Sequence, residues 1–183
     1  MYPMRRIISF AFIILASLAV GLASVPVRAA DPPVSVTVTD AQAELIKQNC
    51  KQAQSLLQRL QTADVVTRVN RGRIYESLLN RLITPFNARV SFNRYDANAL
   101  TTVTSTLNQR FTDFKSDYQI YADSLSNLLA VDCEAHPRPF YTLLVSTRDL
   151  RGKVATDVAD INTLIDRYTV AFGSLRSTIE RAQ

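Results

Sequence analysis

Apolar residues recur along this chain at spacings of three and four, the period of a helix with one buried face. The cleanest run is Leu100, Val103, Leu107, Phe111, Phe114, Tyr118, Tyr121, Leu125 and Leu128. A second, Leu143, Leu150, Val154, Val158, Ile161, Ile165, Tyr168, Phe172, Leu175 and Ile179, continues almost to the last residue. A third passes through Ile46, Cys50, Ala53, Leu57 and Leu60, then resumes at Ile74, Leu78 and Leu82. Between its two halves the same stripe carries Asp64, Thr67 and Arg71, so the middle of that seam is polar. No β-rich segment, internal repeat or low-complexity tract competes with these three periods.

The residues between the runs mark helix ends. Thr39 followed by Gln42 is a capping-box pattern. Pro85 is expected to end or kink the first helix. Asp96 is a suitable N-cap for the second helix, and Pro139 suits the first turn of the third. The reading is an all-α fold, an elongated antiparallel three-helix bundle or coiled coil over residues 40–183. Its helices span about 40–86, 96–132 and 139–182. Residues 30–39, including DPPVSVTVT, form an extended spacer before it.

The chain opens with Arg5 and Arg6, then an apolar run from Ile7 to Ala23, then VPVRAA. These are the three parts of a secretory signal peptide over residues 1–29, with Val27 and Ala29 at the −3 and −1 positions of cleavage. The alternative is an uncleaved anchor formed by residues 7–23, close to the minimum of about 17 residues for a membrane span. Either reading places the rest of the chain outside the cytoplasm, secreted or periplasmic.

This changes the meaning of the charge. The full chain carries 21 Lys+Arg against 16 Asp+Glu. The leader holds Arg5, Arg6 and Arg28 and no acid, so without it the balance is 18 against 16. A net charge of that size does not argue for nucleic acid, and none is expected as a partner.

Two cysteines in an exported chain most simply pair. If the first two helices fold back about a point near residue 91.5, facing residue numbers sum to 183. Cys50 and Cys133 meet that condition, and a Cys50–Cys133 disulfide is expected.

The chemistry of catalysis is sparse. His136 is the single histidine and sits in HPRP, beside a proline and between two helices. No ligand set for zinc and no glycine-rich phosphate loop is present, so no metal, cofactor or catalytic residue is assigned and the protein is read as a non-enzyme.

Two stretches stand out. TPFNARVSFNRYD, residues 84–96, interleaves Phe86, Phe92 and Tyr95 with Arg89 and Arg94. Arg89, Phe92, Arg94 and Tyr95 are the candidate partner-binding residues, since arginine and aromatics together are what protein interfaces use. The competing reading is that Phe86, Phe92 and Tyr95 plug the end of the bundle. RVNRGR, residues 68–73, lies in the polar part of the first seam. It is read as a register-fixing polar layer made of Asp64, Arg68, Arg71, Gly72, Asp113 and Asp160. Arg68 would pair with Asp64, four residues before it. The fold-back rule sets Arg71 beside Asp113, and Gly72 against Phe111 as a packing notch. A second fold-back near residue 135.5, with facing numbers summing to 271, brings Asp160 to the same level.

In layout alone the chain resembles exported helical chaperones and periplasmic coiled-coil adaptors, and no functional residue transfers from that likeness. The expected function is binding of another protein or a cell-envelope component, with binding of unfolded exported clients as the alternative.

Overall fold

A computed structural model describes residues 37–182, and the described residues are helical with no strand among them. The expected leader and most of the spacer lie outside the described residues. The elements are α1 (Asp40–Gln48), α2 (Cys50–Ser77), a π-helical turn (Leu78–Ile83), α3 (Thr84–Phe92), α4 (Asn98–Ala130) and α5 (Pro137–Ala182).

The capping box at Thr39 forms: the Gln42 backbone N–H donates to the Thr39 hydroxyl at 3.3 Å, and the Gln42 side chain accepts from the Thr39 N–H at 2.9 Å. Asn49 interrupts the helix with φ −102° and ψ 6°, and its side chain donates to the Leu45 carbonyl. Asp96 accepts from the Asn98 N–H at 2.9 Å, one residue ahead of the N-cap, Ala97.

Pro85 does not end the first helical stretch. The turn before it widens, so that the Thr84 N–H reaches back five residues to the Leu79 carbonyl. A proline has no N–H to contribute, and it is accommodated where the wide turn hands over to α3. Helix therefore runs on to Phe92, and the reversal is confined to residues 93–97.

The inward-facing residues of this stretch also differ from the expected ones, starting before the π-helical turn. The stripe expected to resume at Ile74, Leu78 and Leu82 resumes instead at Tyr75, Leu79 and Ile83, while Ile74 and Leu82 are each 62% exposed. The inward residues Tyr75, Leu79, Ile83 and Asn87 are spaced by fours. In an α-helix of 3.6 residues per turn such a run drifts off its face. A turn with i to i+5 bonding takes up that drift.

The seam of α4 faces inward along its whole length, from Leu100 to Leu128. It packs against α5 throughout, with contacts that obey the second fold-back: Ser124 meets Thr147, Asp117 meets Lys153 and Arg110 meets Asp160. Pairs between the first stretch and α4 begin on the first rule and drift from it. Cys50–Cys133 sums to 183, Asp64–Tyr121 to 185, and Asn87–Thr104 to 191. The first stretch thus uses more residues per unit length than α4, and the wide turn contributes to that excess.

Three apolar clusters form among the packed helices. One surrounds the disulfide with Tyr118, Leu125, Leu128 and Phe140. The next holds Tyr75, Leu79, Phe114 and Ile161, with Tyr75 edge-on to both Phe111 and Phe114. The third, near the reversal, holds Val90, Ala97 and Leu100. Cys50 and Cys133 form the disulfide with their Cα atoms 5.6 Å apart, within the ordinary range.

Candidate functional site

The polar middle of α2 produces a cleft. No α2 residue brings its Cα within 8 Å of one in α5, although both helices pack on α4 or its neighbours. The cause is local: between Leu60 and Tyr75 the inward face of α2 offers Asp64, Thr67, Arg68 and Arg71, while Val65 and Val66 point to solvent. With no apolar residue to close the gap, a cavity of about 270 Å³ remains between α2, α4 and α5.

Asp64 closes one end. Its carboxylate accepts from Arg151 Nε at 2.9 Å and Nη2 at 3.2 Å, and from the Tyr121 hydroxyl at 2.7 Å. Burial pushes the Asp64 carboxyl upward, but these hydrogen bonds and the Arg151 charge outweigh it and hold it below the usual carboxylate range. The Tyr121 hydroxyl is pushed up by burial and then by Asp64. Arg68 does not pair with Asp64. Its guanidinium lies over the Tyr118 ring, 4.8 Å from the centroid. Arg71 lines the same cavity, and among the described residues no carboxylate lies within 4 Å of Arg68, Arg71 or Arg73.

The polar layer expected from sequence is therefore rearranged. Asp113 and Asp160 do lie at one level, but both face Arg110, at 3.4 and 3.8 Å, and not Arg71. The drift in register carries Arg71 past them. Gly72 is not a packing notch: a Cβ there would meet nothing within 4 Å, so Phe111 does not rest against it. The polar tie nearest the reversal is one the sequence reading missed. Buried Asn87 donates to the Thr104 hydroxyl at 2.8 Å and accepts from the Tyr168 hydroxyl at 2.7 Å. The signal is a polar residue at the fourth position of a fours-spaced run, obscured by the end or kink that Pro85 predicts.

A further polar group sits between α4 and α5. Lys153 Nζ donates to Asp117 at 2.8 Å, and Asp157 lies beside them with one buried carboxylate oxygen unpartnered. Burial, and then the neighbouring Asp117, push the Asp157 carboxyl up to about 6.

At the reversal, α3 ends in a Schellman arrangement: Tyr95 N–H donates to the Val90 carbonyl and Arg94 N–H to that of Ser91. Arg94 occupies the left-handed position with φ 63°, a place that favours glycine. Phe86 packs edge-on against Phe172 at 5.2 Å and helps close the end of the bundle. Phe92 does not: it is 87% exposed, with Arg89, Arg94 and Tyr95 also exposed around it. His136 is exposed at the start of α5, where its carbonyl accepts from the Phe140 N–H. Among the described residues no group of three metal-binding side chains comes together, and no helix is long and apolar enough to cross a membrane. No family model matches this chain, and no curated protein or solved structure is detectably similar to it.

Proposed function

We propose that this is an exported, non-enzymatic protein, an antiparallel three-helix bundle built on coiled-coil seams, that binds another protein or a cell-envelope component through its hairpin tip. The observation that carries the reading is the pair of features at residues 92–94. A phenylalanine stands in water, and an arginine holds a left-handed conformation that costs about 1–2 kcal/mol relative to ordinary backbone. Neither contributes to the apolar clusters below, and arginine beside an exposed aromatic is the composition of an interface anchor. The disulfide is consistent with an oxidising compartment. The leader at residues 1–29 would direct the chain there.

Arg94→Gly separates binding from folding. It should raise stability by about 1 kcal/mol in urea denaturation, by relieving the left-handed strain. It should also lower recovery of the partner in affinity capture from the native envelope, as should Phe92→Ser and Arg89→Ala at unchanged melting temperature. Unchanged capture with all three variants would reduce the tip to a loop.

One observation favours the alternative, binding of unfolded exported clients. An apolar groove of about 350 Å³ runs between the π-helical turn and α5, lined by Leu78, Leu82, Phe86, Ile165, Tyr168 and Phe172. Loss of client holding on Leu82→Gln, with the tip intact, would identify it.

A further inference from the structure

We infer that the cleft between α2 and the α4–α5 pair is a binding site for a small anion carried on an apolar or aromatic body. The inference is independent of the tip.

The charge that is not paired lies on the α2 side, since Arg151 of α5 is matched by Asp64. Asp64, Arg68 and Arg71 follow one another at spacings of four and three, so they share one face of α2. The single charge of Asp64 is already matched by Arg151, so it does not balance the other two. Arg68 therefore holds its guanidinium in the cleft, over Tyr118, and Arg71 lines the same cleft, with no acid within 4 Å of either among the described residues. Arg68 is also held in place. The cation–π contact with Tyr118 holds the guanidinium over the ring and leaves its N–H groups without a protein acceptor among the described residues. A pre-positioned guanidinium loses less freedom on binding than a mobile lysine, and planar forks match the oxygens of a carboxylate or phosphate.

The opposite side is apolar. Phe114 and Tyr118 of α4 form the floor, and Val154 and Val158 of α5 form the far wall. A free inorganic ion would leave these surfaces uncovered, whereas a ring or short chain attached to the anion would bury them. At about 270 Å³ the cavity falls just under the usual range for small-molecule pockets of ~300–1,000 Å³. The ligand is thus of the size of one or two fused rings, with a carboxylate or phosphate as its headgroup.

Isothermal titration of the protein with 2-naphthoate, 2-naphthalenemethanol and inorganic phosphate tests this. One saturable site for 2-naphthoate is expected, with the neutral alcohol and phosphate each weaker by about tenfold or more, the contribution of one charge-assisted hydrogen bond or one apolar face. Arg71→Gln should weaken 2-naphthoate by about tenfold at unchanged melting temperature, since Arg71 makes no ion pair that folding uses. Arg68→Met should do the same, and Phe92→Ser should leave binding as it is. Equal affinity for the alcohol, or indifference to both arginine substitutions, overturns the anion assignment. Phosphate binding as tightly as 2-naphthoate overturns the apolar one.

Discussion

Gly72 shows how one residue can suggest a contact it does not make. A glycine in a helix facing an aromatic on paper invites a notch. In the folded chain its Cβ position opens onto space, and its backbone is not in the left-handed region. Gly72→Ala should therefore stabilise the protein by about 1 kcal/mol, the helix-propensity difference alone, as read from the denaturation midpoint. Asp157 carries the opposite lesson, a residue whose cost is invisible without its neighbours. Its carboxyl is raised to about 6 in the folded chain, by burial first and then by Asp117, with Lys153 opposing and Asp113 adding to it. The folded protein keeps a proton there that the unfolded chain has already released. Stability from this group is complete below the ordinary carboxylate range and is lost as pH rises through about 6. Asp157→Asn should remove that decline and be more stable than the parent by roughly 1–2 kcal/mol at pH 7, with little difference at pH 4. Asp64 works with the reverse sign: its contribution is present above the ordinary carboxylate range and fades as pH falls through its lowered value.

At the scale of elements, the period of α4 was legible because each of its seam residues is apolar and α-helical throughout. The match between α4 and α5 was legible for the same reason: two regular helices keep one register. The first stretch was not, because its regularity is broken by the pause at Asn49 and by the wide turn at Leu78–Ile83. Neither has a sequence period of its own. The pattern therefore resumed one residue off, and each contact inferred across it slipped. Cys50–Cys133 escaped because it lies at the end where drift has not yet accumulated. The candidate site was half legible. Polar residues in mid-seam marked where α2 stands away, but Tyr121, one of the apolar seam of α4, and Arg151, one of several charges in RDLRGK, gave no sign that they engage Asp64. The Asn87 network is the element-level counterpart, joining α3, α4 and α5. Asn87→Leu should cost about 2 kcal/mol in denaturation, mostly from leaving the half-buried Tyr168 hydroxyl and the buried Thr104 hydroxyl without their Asn87 partner. Adding Tyr168→Phe should restore part of that loss, since removing both partners is cheaper than removing one.

Across residues 37–182 as a whole, α2 is fastened by apolar packing at its two ends and by polar ties between them. The disulfide holds one end, and the Tyr75–Phe114 contacts with the wide turn beyond them hold the other. The bond closes a sequence separation of 83 residues, for which the chain-entropy picture gives about 4 kcal/mol. Between these fastenings the helix is like a bowstring held to the α4–α5 pair by polar ties at Gln61, Asp64 and Arg68 rather than by apolar packing. Its amides near residues 62–73 should exchange with deuterium well before those of α4 at the same level, through local opening that leaves both ends in register. Reducing the disulfide should release one end and extend that fast exchange back toward Cys50, before any loss of helix in α5. Exchange that is uniform along α2 and α4 would show that the string is clamped along its length.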